Sequence, residues 1–328
     1  MSTLRALGEF GLIERARRLL PDPAGWKVGI GDDAAVLQIS PRRFQFFTED
    51  LLVEGVHYRR GSPADWRDLG WKSLAVNLSD LAAMGGKPIG AVVGLALPKK
   101  TKPAEVEAFY RGLAEASRRY RCPIVGGDTN ASASGSVIAI ALLGESRHKP
   151  LLRSGAKPGD GLWVSGELGA AALGWIAAQR KLDGAARIFR RRHARPEPRL
   201  DWGQSLASSG MVSSAMDLSD GLAGDLPHLA RASGVGFEVD VDLLPRSGVF
   251  SRLCKKMKLE EERLLLAGGE DYELLFTVRH AAEKRFGEYC RRHRIKATRI
   301  GHASRGQKLL WHRSGKKMKQ VWEGYRHF

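Results

Sequence analysis

Cysteine is scarce in this chain. Cys122, Cys254 and Cys290 stand far apart with no C-x-x-C pair, which excludes a disulfide framework and a thiolate zinc site and points to a reducing compartment. Long apolar runs are missing as well. The longest apolar neighbourhood, Ile89 to Leu97, is broken by glycine and falls far short of the roughly 20 residues needed to span a bilayer. No apolar signal core precedes the amphipathic stretch Phe10 to Leu20, so a cytoplasmic protein without membrane contact is expected. The phosphate-binding pattern G-x-x-x-x-G-K-[ST] is absent, as are the H-R-D and D-F-G motifs of protein kinases. Zinc-finger spacing, a ribonucleoprotein motif and a basic heptad region are lacking too, which argues against a specific nucleic-acid partner. Acidic residues are the minority, 36 against 53 Lys and Arg, and the resulting net charge of +17 suggests an anionic partner. Dense basic patches occur at Arg190-Arg191-Arg192, Arg291-Arg292-His293-Arg294 and Lys316-Lys317, and the first reads as a solvated helix face rather than a phosphate clamp.

What the chain does have is a length of 328 residues, which fits two domains better than one. The first half alternates strand-like and helix-like segments. Strands are expected at Ala35 to Ile39, Gln45 to Thr48, Gly90 to Leu97, Pro123 to Val125 and Ser136 to Leu143. One helix is expected from an N-cap at Ser62 and Pro63 to Met84, stopped by Gly85-Gly86, and another from Pro103 to about Arg119. Gly, Lys, Arg and Pro then replace the apolar pattern between Gly144 and Pro158, which places a boundary between domains 1–146 and 147–328. The second half predicts strands at Leu162 to Ser165, Phe237 to Val241 and Glu273 to Val278. Helices are expected at Leu168 to Arg180, Gly221 to Ala232 and Ala281 to Arg292. Both halves therefore read as α/β with mixed sheets.

The few acids are not scattered. They gather at Gly31-Asp32-Asp33, Thr48-Glu49-Asp50, Ser79-Asp80, Gly126-Gly127-Asp128 and Asp217-Leu218-Ser219-Asp220, each read as a turn beside an apolar run. Carboxylates collected at strand ends are the donor type that hard cations take, and such cations commonly hold phosphates. Gly29-Ile30-Gly31-Asp32-Asp33-Ala34 formally fits the dinucleotide pattern G-x-G-x-x-A, yet two carboxylates would repel a pyrophosphate, and a strand follows where that pattern needs a helix. A tight acidic turn is the plainer alternative. Asp80 falls near a helix C-terminus, where an acid opposes the macrodipole and needs compensation from a cation or a hydrogen bond to Asn77. Asp217 and Asp220 precede a helix, so either could cap it. Gly268-Gly269-Glu270-Asp271-Tyr272-Glu273 reads as acids at a strand mouth or as a hairpin turn. His57 and Arg153 are the basic candidates nearest these sites.

In order along the chain, several segments closely resemble the thiamine-monophosphate kinase family. They are Gly8-Glu9-Phe10, the Gly29 to Ala34 turn, Asp50 to His57, Ala75 to Gly85 and Gly126 to Thr129. The series continues with Arg153 to Asp160, Asp217 to Gly221, Gly268 to Leu274 and Trp322 to Phe328. The resemblance spans nearly the whole chain. It implies the two-domain fold shared with aminoimidazole ribonucleotide synthetase, dimeric through an N-terminal β-barrel interface. It also implies phosphorylation of thiamine monophosphate to thiamine diphosphate with ATP and several Mg2+ ions. On that likeness Asp33, Asp50, Asp80, Asp128, Asp217 and Asp220 hold metal, joined by Thr48 and by Glu49, which replaces a more familiar Thr. Tyr110, Gly127, Asp128, Arg153 and Ser219 contact ATP, and His57, Glu270 and Tyr325 contact the thiamine substrate. Asp128, Asp220 and Arg153 form the expected catalytic set. The alternatives are another ATP-using synthetase of the same superfamily and a basic nucleic-acid-binding protein. A selenophosphate synthetase would carry a reactive Cys in a Gly-rich N-terminal segment, and none occurs here.

Overall fold

Alternating apolar residues in the first half build a six-stranded sheet from β1 (Trp26–Val28), β2 (Ala35–Ser40), β3 (Arg43–Val53), β4 (Lys87–Pro98), β5 (Ile124–Ser132) and β6 (Val137–Ser146). The structure, a computed structural model, describes residues 4–21, 24–59, 61, 63–319 and 322–325. The expected cap Ser62 and the closing residues Arg326, His327 and Phe328 of the C-terminal motif lie outside the described residues. The strand order is β1-β2-β3-β6-β4-β5, antiparallel except for β4 and β5. That parallel pair needs a crossover, and α3 (Pro103–Tyr120) supplies it. Within one chain the sheet is open rather than a closed barrel.

Two acidic segments expected as turns are strand interiors. Thr48-Glu49-Asp50 lies mid-strand because Leu51, Leu52 and Val53 extend the pairing of β3 with β6. Gly126 to Thr129 lies inside β5, zipped to Val92 through Leu95 of β4. Gly127 is required by that pairing alone, since a Cβ there would sit 2.0 Å from the Val93 carbonyl oxygen.

The long helix α2 (Pro63–Ala83) lies on the inner face of this sheet, preceded in the chain by the helical stretch α1 (Leu4–Leu19), which is kinked at Gly8. The second half forms a seven-stranded mixed sheet from β7 (Gly161–Ser165), β8 (Val212–Asp217), β9 (Gly236–Asp240), β10 (Leu274–Val278), β11 (Ala297–Ser304), β12 (Leu309–Arg313) and β13 (Lys316–Lys317). Its order is β13-β12-β9-β11-β7-β10-β8. The helices here are α4 (Ala170–Gln179), α5 (Arg187–Ala194), α6 (Leu200–Ser209), α7 (Leu222–Ser233), α8 (Gly248–Lys256), α9 (Glu261–Ala267) and α10 (Glu283–His293).

One apolar core holds Phe46, Leu78, Leu81 and Ile140 of the first half and continues into Phe276 and Phe286 of the second. A separate core around Leu226, Phe237, Phe250 and Leu275 belongs to the second half alone. Fully burying each such side chain contributes about 1.5–3 kcal/mol. Because α2 packs on the first sheet and also against α6 and β8, the shared core fixes the two sheets relative to each other. Polar residues on α2 are thereby held between them. Among the described residues, no helix is long and apolar enough to cross a membrane.

Candidate active site

Four elements converge on one group of carboxylates. Asp33 follows the β1–β2 turn, where Gly31 has φ of 123° and lets the chain reverse before β2. Asp80 comes from the last turn of α2, and Asp217 is the final residue of β8. Oxygen atoms of these three acids lie within 4.8 Å of one another, although 184 residues separate the first from the last in sequence. Asp50 joins them from β3, close enough for its charge to raise the Asp80 carboxyl.

Hydrogen bonds fix the arrangement. Thr48 Oγ1 donates to Asp80 Oδ2 at 2.6 Å, and Ser79 Oγ donates to Asp217 Oδ2 at 2.7 Å. Asn77 Nδ2 donates to the Ser73 carbonyl, and its Oδ1 accepts the Asp50 backbone N–H at 3.1 Å. The helix-end acid is therefore compensated by Thr48, while Asn77 serves Asp50 instead. Arg153 Nε donates to Asp33 Oδ1 at 2.9 Å, and the Arg153 backbone N–H reaches both oxygens of Asp32 at 3.2 Å. Asp33 Oδ2 is buried with no hydrogen-bond partner among the described residues.

Packing four acids together out of water disfavours their charged forms. Burial, then the Glu49 and Asp33 charges, push Asp50 up to about 6. Burial and the Asp33 charge bring Asp217 up to about 7. Burial, with Asp50, Asp217 and Asp33, raises Asp80 well above the carboxylate range. Burial raises Asp33 too, against the opposing pull of Arg153. A cation would relieve this strain, because all the donors are hard oxygens and one is orphaned.

Neither Asp217 nor Asp220 caps α7, whose N-cap is Gly221. The Asp220 backbone N–H donates instead to buried Asp225 at 3.0 Å. Two loops are zipped together here. Glu270 N–H donates to the Ser219 carbonyl at 2.7 Å, Tyr272 N–H to Leu218 at 2.9 Å, and Leu218 N–H to Glu273 at 2.8 Å. Those bonds hold Glu270 and Tyr272 in the left-handed region, with φ of 67° and 51°. The hairpin alternative for Gly268 to Glu273 is thus replaced by a loop clamped to its neighbour.

A cavity of about 460 Å³ opens from the acids. Asp50, Asp80, Asp217, Ser219 and Asp220 line one part, and His57, Trp175, His193, Glu270 and Tyr325 line another. His57 Nδ1 accepts the Val53 N–H at 3.0 Å, which leaves Nε2 as the protonated nitrogen. Most of the expected residues are therefore brought together by one chain. Asp128, Gly127, Glu49 and Tyr110 are not. Glu49 and Asp128 are exposed on the outer face of the first sheet, and β5 lies three strand spacings from β3, roughly 14 Å. Tyr110, on α3, borders a separate depression lined by Leu97, Pro98 and Val106.

Sequence reasoning did not single out Lys72, Trp175, His193 or Asp225, and it named Asn77 only as a partner for Asp80 and Ser79 only beside it. The available signal was polar residues inside an otherwise apolar helix, as in Trp71-Lys72-Ser73-Leu74 and Val76-Asn77-Leu78-Ser79.

The fold and site define a class, and comparison agrees. The family described as AIR synthase related protein matches through its N-terminal domain at residues 31–146 and its C-terminal domain at residues 157–311. Thiamine-monophosphate kinase of Salmonella typhimurium is 39% identical over 334 residues, covering 98% of this chain and 99% of that one. The Aquifex aeolicus enzyme is 35% identical, covering 99% of each. A solved structure of AaThiL complexed with AMPPCP and TMP superposes with a TM-score of 0.87 and 33% identity, covering 100% of this chain and 99% of that one. The chain belongs to the AIR synthase-related proteins and, within them, to the thiamine-monophosphate kinase family.

Proposed function

We propose that this chain transfers the γ-phosphoryl group of ATP to the phosphate of thiamine monophosphate, giving thiamine diphosphate and ADP. The observation that carries the reading is the cavity itself, with clustered acids from both halves in one part and aromatic and imidazole side chains in the other. Two polyanions must meet for this reaction, and uncompensated carboxylates would repel both. Asp33, Asp50, Asp80 and Asp217 would hold Mg2+, with Thr48 and Asp220 beside them, and the orphaned Asp33 oxygen fits that use. The ions would neutralise charge on the donor and acceptor phosphates. Arg153 pairs with Asp33, and on this reading it would donate to a phosphoryl oxygen of the transferring group.

Transfer is direct and in line, without a phosphoenzyme. The acceptor oxygen is already ionised at neutral pH, so no strong base is needed, and His57 binds rather than abstracts. His57, Glu270 and Tyr325 line the part of the cavity that takes the thiamine rings. The reaction is placed in the cytoplasm on the same reading.

The remaining ATP residues call for a second copy of the chain. Phe47, Leu51, Val92 and Leu143 expose apolar side chains on the outer sheet face beside Glu49 and Asp128. Packing two such faces together buries the apolar band, forms the expected barrel between protomers, and brings Asp128, Gly127 and Tyr110 of one copy toward the acids of the other. The test is product analysis with purified protein, Mg-ATP and thiamine monophosphate. ADP and thiamine diphosphate are the expected products, and the absence of both from folded protein overturns the assignment.

A further inference from the structure

Lys72 is a buried lysine whose side chain is only 5% exposed, and its ammonium lies 2.6 Å from Glu270 Oε1. The other carboxylate oxygen, Oε2, lies 2.8 Å from the buried His193 Nδ1, within hydrogen-bond distance. The His193 ring packs against Trp175, with centroids 5.2 Å apart. These contacts bridge distant parts of the chain, since Lys72 is on α2, His193 on α5 and Glu270 in the loop before β10.

Lys72, Val76 and Asp80 are spaced four residues apart and form one stripe of α2. The stripe runs about 12 Å from the buried cation to the clustered acid. Val76 and Asp80 line the cavity that Glu270 also lines. An elongated acceptor with its phosphate at Asp80 therefore has its heterocyclic end beside Glu270. A buried ion pair adds little net stability compared with apolar packing, so the pair's main effect is on the place and charge of the carboxylate. Burial alone would raise the Glu270 carboxyl, but Lys72 and His193 outweigh it and bring it down to about 2.

We propose that Lys72 and His193 are positioning residues for acceptor recognition: they hold the Glu270 carboxylate charged and aimed at the cationic, amine-bearing rings of the substrate. This rests on the kinase reading given above. Loss of Lys72 lets Glu270 swing or take up a proton, which weakens the hold on the rings while the ATP site is untouched.

The experiment uses the full chain with Mg-ATP and varied thiamine monophosphate. Wild-type turnover to thiamine diphosphate tests the kinase reading independently of any variant. Lys72→Met should raise KM for thiamine monophosphate by about tenfold or more, with KM for ATP within about twofold. In a Glu270→Gln background the same substitution should add less than about threefold, because Lys72 acts through Glu270. His193→Gln reads the same effect without stranding a buried charge, since burial and then Lys72 keep His193 neutral, and it serves if Lys72→Met does not fold. A KM for thiamine monophosphate within about twofold of wild type in the folded variants overturns the proposal, as do equal rises in both KM values.

Discussion

The two faces of β3 are opposites. Thr48 and Asp50 face α2, where hydrogen bonds from Thr48 to Asp80 and from the Asp50 backbone N–H to Asn77 lock them in a partly buried acidic cluster. One residue away, Glu49 and Leu51 point outward with Phe47 into an exposed apolar band. A strand turns successive side chains to opposite sides, so three consecutive residues cannot all serve one site within one chain. The acids of the inner face cluster within a single chain, whereas the outer face gains its proposed role only with a second copy.

That contrast can be broken most sharply from the inside. Asp217→Asn or Asp80→Asn should lower turnover by about 10²-fold or more with the fold intact, the scale of losing one preorganised charged group. Circular dichroism and thiamine diphosphate release check it together. From the outside, Phe47→Asp, on the exposed band and away from the cavity, should dissociate the protein to monomers by sedimentation and lower turnover if Asp128 serves the other copy. Mixing subunits sharpens the same point. Inactive Asp128→Asn and Asp217→Asn proteins, unfolded and refolded together, should recover about a quarter of wild-type activity if each site draws Asp128 from the other copy. No recovery would place Asp128 in its own chain's site.

A smaller effect concerns pH. Burial raises Asp50 and Asp217 in the folded state to about 6 and about 7 from the ordinary 3.8 of an aspartate, so the folded state binds more protons than the unfolded state between those limits. Stability of the metal-free chain is then highest below about pH 4 for these groups and is lost as pH rises through 6 to 7. Thermal melts should fall across that window, and Mg2+ should reverse the fall by favouring the ionised acids. A flat profile would show that the cluster is not strained. Glu49→Thr should give the smallest change in the series, because its side chain lies outside the inner cluster.

Much of this organisation was legible in the sequence. The helices at Pro63 and Pro103 start where proline predicts, and the Gly85-Gly86 stop falls just past the end of α2 at Ala83. Four of the five acidic segments supply Asp33, Asp50, Asp80 and Asp217, whereas the Gly126-Gly127-Asp128 segment lies apart, and three of the five are strand or helix rather than turn. Which acids meet was not legible, because it depends on the shared core that presses α2 between two sheets. The strand β8 that delivers Asp217 went unexpected, since Ser213 and Ser214 interrupt its apolar pattern. Lys72 was hidden for the opposite reason, as one polar residue in an apolar helix carries no sign of a partner 198 positions away.

The hydrogen bonds that tie Ser219 and Leu218 to Glu270, Tyr272 and Glu273 make the acidic part of the cavity and the part around Glu270, the proposed phosphate and ring ends, a single mechanical part. Acceptor choice and phosphoryl alignment are consequently geared to one another. Re-engineering residues 268–273 for a different acceptor would drag Asp217 and Asp220 out of place, so a useful redesign has to leave this segment fixed and alter the walls contributed by α4 and α5 instead.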